Sequence, residues 1–87
     1  MDKKKLSFPL YKWVDEASDE EIVKRVRLLK LKRDAYGISQ GAVAEGMNKQ
    51  QSHVCRLESI DSLRVSDFSV RFITLYITVV EALTKES

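Results

Sequence analysis

The sequence predicts a small all-α domain of four main helices, with an N-terminal arm and a long C-terminal helix. The 87 residues are enough to enclose one hydrophobic core. Two stretches repeat apolar residues at helical spacing, and two shorter helical segments joined by a tight turn lie between them. We therefore divide one compact domain into an arm over residues 1–17, a helical core over residues 18–65 and a C-terminal dimerisation helix over residues 66–87.

Composition and charge exclude several classes of protein. The formal net charge is only +2, so the chain is not a polybasic tail, although Lys24–Arg33 contains six basic residues and no acidic one. A single cysteine excludes an internal disulfide and fits a reducing cytoplasm. The chain starts without a signal-peptide pattern, and its longest apolar stretch, Phe72–Val80, is too short to span a bilayer. We expect a cytoplasmic protein with no membrane contact.

The N-terminal arm combines a charged start with an aromatic patch. Residues 1–5 are charged and are expected to be disordered. Residues 6–14 form an aromatic patch that a free tail would not leave in water. We expect it to dock across the first long helix and cover Leu28 and Leu31, in its own subunit or in a dimer mate. The patch contains Phe8, Leu10 and Trp13.

The first long helix is bounded by clear signals at both ends. Ser18 and Glu21 form a capping box at its start, and Gly37 provides a stop signal after its end. The helix is therefore predicted from about Asp19 to Ala35. Its inward apolar stripe is Ile22, Val26 and Leu29.

Arg33 continues this inward stripe one turn further on. A charge on the packed side of a helix needs a partner, and Glu58 is the obvious candidate. We expect Arg33 and Glu58 to form a structural salt bridge rather than to contact a ligand.

Residues 38–59 predict two short helices joined by a tight turn. Ser39 starts the first helix as an N-cap residue. The turn falls at Met47–Asn48, because Asn tolerates a left-handed backbone. The second helix runs over about residues 50–58.

The second of these helices has a polar outward face. Val54 and Leu57 point inward, at about 100° per residue. The outward residues are Ser52, Cys55, Arg56 and Ser59, with Gln51 at the flank. Arg pairs with guanine, Gln with adenine and Ser with either base. This layout is that of a helix-turn-helix, which puts its second helix into the major groove of double-stranded DNA.

These residues resemble the lambda-repressor/Cro-like helix-turn-helix family over roughly residues 20–60. The pattern is carried by Arg33 to Gln40, Val43–Ala44, Val54 and Leu57–Glu58, with the family's spacing from Ala44 to Glu58. The resemblance implies the Arg33–Glu58 pair and a phosphate contact by Gln40. The chain departs from the pattern at the turn, with Asn48 in place of Gly, Lys49 in place of an apolar residue and Gln50 in place of Ser or Thr.

Candidate DNA contacts follow from these positions. We assign base contacts to Gln51, Ser52 and Arg56. We assign backbone contacts to Gln40, Lys49, Gln50, His53 and Ser59. His53 and Cys55 diverge on a helix, and no second Cys or His exists to complete a site. We expect no metal, no cofactor and no enzyme activity.

The end of the chain predicts a loop over Ile60–Arg64 and then a helix capped by Ser66. Alternating apolar residues also fit a strand over residues 73–79, but the cap favours a helix. One apolar face remains after the core is filled, and a helix-turn-helix monomer reads only a few base pairs. We therefore assign a homodimer interface to Ile73, Ile77 and Val80.

The sequence thus predicts a sequence-specific DNA-binding transcriptional regulator. With no separate sensory domain, we expect a repressor that occupies a palindromic operator as a homodimer. The alternative is an antitoxin or partner-binding regulator. Such a protein would grip a protein partner with its last helix or its arm, neutralise it and autoregulate its operon.

Overall fold

The computed structural model describes residues 9–85. In that range it contains five α-helices: α1 Pro9–Glu16, α2 Asp19–Ala35, α3 Gln40–Met47, α4 Gln51–Glu58 and α5 Val70–Leu83. No strand occurs there, so the all-α fold class is confirmed. The expectations for residues 1–5 and for the side chains of Phe8 and Leu10 lie outside the described part of the chain. None of these helices is long and apolar enough to cross a membrane.

Both ends of α2 follow the signals in the sequence. Ser18 Oγ accepts a hydrogen bond from the Glu21 N–H at 3.2 Å, and Glu21 Oε1 accepts one from the Ser18 N–H at 3.0 Å. At the other end, Gly37 has φ of +71°. The Ile38 N–H donates to the Arg33 carbonyl at 3.0 Å, which completes a Schellman motif. The predicted bounds of this helix are confirmed.

The C-terminal helix begins later than predicted. Its N-cap is Ser69, not Ser66, and Ser69 Oγ accepts a hydrogen bond from the Phe72 N–H at 3.0 Å. Residues Val65–Asp67 form a short 3-10 helix instead, which turns Val65 into the core. Both serines are suitable N-caps locally. Capping preference alone therefore does not distinguish the two serines, and α5 starts after Ser69 with Val65 buried ahead of it.

The central helix of the fold is α5, which packs against α1, α2 and α3. Its two apolar stripes differ in burial. Ile73, Ile77 and Val80 lie in the core, whereas in the other stripe only Tyr76 is fully buried, Phe72, Leu75 and Val79 are half-buried, and Leu83 is exposed. Ile73, Ile77 and Val80 are at most 1% exposed within a single chain. Their assignment to a dimer interface is wrong, because a second chain could reach them only if the helices that cover them moved away.

The described part of the N-terminal arm forms α1, which packs mainly on α5 and touches α2 where Arg25 lies 5.2 Å from the centre of the Trp13 ring. Val14 anchors this helix in the core at 1% exposure. Leu28 and Leu31 remain 58% and 64% exposed. Within one chain, the described residues of the arm therefore do not cover these two leucines, and covering by Phe8, by Leu10 or by the arm of a dimer mate stays a prediction.

Candidate nucleic-acid interface

The helices α3 and α4 meet at a turn whose geometry depends on Asn48. Asn48 adopts the predicted left-handed conformation, with φ of 60° and ψ of 42°. The Lys49 N–H donates to the Ala44 carbonyl at 2.9 Å, and the Asn48 N–H donates to the Glu45 carbonyl at 3.1 Å. This pair of hydrogen bonds is a Schellman motif, so the two helices keep a fixed relative orientation.

The predicted inward and outward sides of α4 are confirmed. Val54 and Leu57 are fully buried in the core. The residues predicted to face outward are all exposed: Gln51, Ser52, Cys55, Arg56 and Ser59. Lys49 and Gln50, which precede the helix, are exposed as well. We call the exposed side chains from Gln51 to Ser59 the polar strip.

Three side chains of the polar strip point most directly away from the core. At about 100° per residue, Ser52, Arg56 and Ser59 lie opposite the buried side. Gln51 lies at the flank toward α3, where its Oε1 is 3.7 Å from the position of a Cβ built on Gly41. The strip therefore presents hydroxyl, amide and guanidinium groups together, the groups that read base edges.

A basic groove borders the other flank of α4, next to the start of α5. The His53 ring meets the Phe72 ring edge-on, with 6.3 Å between the centroids. The groove has a volume of about 310 Å³, and Lys49 and Arg56 line it together with the acid Asp67. Its remaining lining residues are His53, Phe68, Ser69 and Phe72. Two cations beside the polar strip favour the approach of an anion such as phosphate.

A buried polar network holds the end of α4 in place. Arg33 Nε and Nη2 donate to Glu58 Oε2 and Oε1 at 2.8 and 2.9 Å, which confirms the predicted salt bridge. Gln40 Nε2 and Tyr76 Oη donate to the same carboxylate, each at 2.8 Å. The four side chains come from α2, α3, α4 and α5. One carboxylate thus joins four helices.

The charges of this network are stable in spite of burial. Burial raises the pKa of Glu58, but the hydrogen bonds from Arg33, Gln40 and Tyr76 outweigh it, so this pKa lies below its ordinary value. The hydrogen bond to Glu58 raises the pKa of Arg33. Burial and the hydrogen bond to Glu58 raise the pKa of Tyr76. At neutral pH the network consists of an ion pair and a neutral phenol.

Gln40 is tied to this network instead of standing free at the surface. Its amide nitrogen already donates one hydrogen to Glu58. An amide nitrogen carries two hydrogens, so only one remains for a phosphate oxygen. If the Gln40 side chain contacts the DNA phosphate backbone as predicted, it does so with this second hydrogen. Its bond to Glu58 also orients the start of α3.

Tyr76 is the member of the network to which the sequence assigned no role at all. Its place in an apolar stripe predicts a buried position, and it is fully buried. The feature of the sequence that pointed to a polar role is the Tyr76 hydroxyl, since a buried tyrosine usually finds a hydrogen-bond partner. Spacing alone does not show that this partner is Glu58, because the two residues lie on different helices.

Comparisons with protein-family models, with curated proteins and with solved structures give no significant match to this chain. The functional assignment of the polar strip therefore depends on the residues of this chain and their geometry. Those are the turn at Asn48, the exposed face of α4 and the network around Glu58.

Proposed function

We propose that this protein is a sequence-specific DNA-binding transcriptional regulator of the helix-turn-helix type. The observation that carries the proposal is the polar strip, centred on Ser52, Arg56 and Ser59, on the second of two short helices joined at Asn48. A helix of this kind fits the major groove with its outer side against the base pairs. The buried clamp on Glu58 supports the proposal, because reading bases requires a rigidly oriented helix.

In this proposal, the two kinds of DNA contact come from different parts of the interface. Gln51, Ser52 and Arg56 read base edges, and Arg56 suits guanine because its guanidinium donates two parallel hydrogen bonds. The basic groove beside Phe72 accepts the sugar-phosphate backbone through Lys49 and His53, while Arg56, which also lines this groove, reaches the bases. Backbone contacts come from Lys49, Gln50, His53 and Ser59, with the remaining amide hydrogen of Gln40.

The same proposal has the protein act in the cytoplasm as a homodimeric repressor. One α4 reaches only a few base pairs, so two copies related by a two-fold axis read a palindromic operator. A dimer bound to two half-sites about one helical turn apart then blocks transcription. The dimer contact uses a surface other than Ile73, Ile77 and Val80, which the core covers.

Selection of binding sites from random double-stranded DNA, at a stated salt concentration, tests the proposal. The expected result is a palindromic motif with two half-sites. The control is Arg27→Ala, which removes an exposed arginine from α2 and should leave the selected motif unchanged. Failure to enrich any sequence would contradict sequence-specific binding.

A further inference from the structure

The exposed leucines of α2 form an apolar ridge on the side of the helix that faces away from the core. Leu28 is 58% exposed and Leu31 is 64% exposed. They lie about 140° and about 160° around the helix from Arg33, which points at Glu58 on α4. The ridge is therefore on the side of α2 that faces away from Glu58 and the end of α4.

Two grooves border this leucine ridge. One, of about 410 Å³, lies between α2 and the loop after α4 and is lined by Val23 and Ser62 among others. The other, of about 250 Å³, lies between α2 and α1 and is lined by Trp13. Leu28 lines both grooves. A ridge with a groove on each side is the shape against which another helix packs, because the side-chain rows of that helix fit into the grooves.

Cations surround the leucine ridge. Arg25 is paired with Glu81 at 2.9 Å. In the described part of the chain, by contrast, no ion pair involves Lys24, Arg27 or Lys32, which are all exposed on α2. Acids also line the grooves, Glu20 and Asp61 in the larger one and Glu21 in the smaller one, so the uncompensated positive charge lies mainly at Arg27 and Lys32. A partner with carboxylates complements this charge.

A second copy of this chain fits the ridge poorly. An antiparallel two-fold pairing that places Leu28 on Leu31 also places Arg27 on Lys32. Each of these like-charge contacts occurs twice in an isologous interface, and like charges brought together oppose association. The charge pattern therefore favours a different, acidic partner over self-association through this ridge.

We propose that the leucine ridge binds an acidic amphipathic helix of another protein. Apolar side chains of that helix cover Leu28 and Leu31, and its carboxylates face the three exposed lysine and arginine side chains of α2. This interaction goes beyond DNA binding and would make the protein a partner-binding regulator. The ridge and the polar strip lie on different helices, so the two proposed interactions use different side chains.

The test uses a synthetic amphipathic peptide of Leu, Ala and Glu, with the Leu residues at helical spacing, and a matched peptide with Lys in place of Glu. Trp13 is the only tryptophan and lines the groove beside Leu28, so its fluorescence reports binding. The Glu peptide should bind to saturation, and the Lys peptide should bind at least about tenfold more weakly. The double variant Leu28→Gln with Leu31→Gln should bind the Glu peptide about tenfold more weakly, or weaker still.

The matched control is Leu63→Gln, which changes an exposed leucine that lines neither groove and should leave peptide affinity unchanged. Arg27→Glu with Lys32→Glu should reverse the preference toward the Lys peptide. Equal binding of both peptides, no saturable binding of the Glu peptide, or no loss in the double leucine variant would overturn the proposal. Binding of anionic phospholipid vesicles without the peptide would overturn it in favour of a membrane contact. The assay contains no DNA, so its result is independent of the operator selection.

Discussion

The Tyr76 hydroxyl donates a 2.8 Å hydrogen bond to Glu58 Oε2, so the central helix α5 and the last residue of α4 meet at one buried carboxylate. The Glu58 side chain is only 1% exposed, and Arg33 Nε donates to the same oxygen. The orientation of the polar strip therefore depends on a tyrosine that lies outside the helix-turn-helix.

Replacing Tyr76 by Phe should lower the free energy of unfolding by about 1–3 kcal/mol, because the buried carboxylate loses one of its donors. Arg33 and Gln40 still bind Glu58, so the fold should persist. Urea denaturation measures the loss. The control is Thr78→Ala, an exposed change on the same helix, which should stay within about 0.5 kcal/mol of the wild type. Equal stability of Tyr76→Phe and wild type would mean that the other donors satisfy the carboxylate.

The network also predicts how stability depends on pH. The pKa of Glu58 is depressed in the folded protein, so its contribution is fully present above the ordinary carboxyl value of about 4.3. That contribution is lost as the pH falls through the depressed value. The stability difference between wild type and Glu58→Gln should therefore be largest at neutral pH and shrink below about pH 4. Urea denaturation across this range measures it, and a difference that does not change with pH would contradict the depressed pKa.

Sequence signals predicted the helix ends correctly where only a few residue types satisfy a backbone requirement. The capping box at Ser18, the Gly37 stop and the left-handed Asn48 all occur as predicted. Arg33 on an apolar stripe likewise required a buried partner, and Glu58 is that partner. In each case a backbone or charge requirement left few alternatives.

The failures have a common cause, which is tertiary packing. Spacing placed Ile73, Ile77 and Val80 on one apolar face of α5 but could not show that α1, α2 and α3 pack against this helix, so Ile77 was assigned to a dimer contact instead of the core. A helix that is apolar nearly all round is usually buried, and that rule was the better guide. The prediction of Ser66 as the N-cap failed likewise, because the chain forms a 3-10 helix over Val65–Asp67 before α5 starts.

Arg56→Ala should weaken binding to the selected operator by roughly 1–3 kcal/mol and relax the preference at one position in each half-site. The reason is that Arg56 lies opposite the buried side of α4. Fluorescence anisotropy with the operator and its single-base variants measures the effect. The matched comparison is Lys49→Ala, which should weaken binding to all DNA sequences about equally and reduce the salt dependence of the affinity. An unchanged preference profile in Arg56→Ala would exclude base reading by this residue.

Gly46→Ala should destabilise the protein by up to about 2 kcal/mol. A Cβ at this position would lie 2.8 Å from Val79 Cγ1, so α3 and α5 would have to move apart. The overpacking cost of about 1–3 kcal/mol is offset in part by the higher helix propensity of Ala, worth about 1 kcal/mol. Thermal or urea denaturation measures the balance.

The glycine prediction has two matched controls. Gly41→Ala lies in the same helix, but its Cβ would meet no atom nearer than 3.7 Å, so it should raise stability by roughly 0.5–1 kcal/mol. Val79→Ala should remove the clash, so the double variant with Gly46→Ala should be more stable than the sum of the single changes predicts. Additive effects would show that α3 and α5 have room to adjust.

Ile77→Asp should abolish folding rather than produce a folded monomer. Ile77 is fully buried within one chain, and an unpaired carboxylate there would cost several kcal/mol, a large part of a total stability of about 5–15 kcal/mol. Circular dichroism and sedimentation should both report an unfolded chain. Thr78→Asp, one residue further along α5 but exposed, should remain folded and is the control for the effect of charge on the helix. A folded, monomeric Ile77→Asp protein would mean that this side chain faces a second subunit in solution, and would restore Ile73, Ile77 and Val80 as the dimer contact.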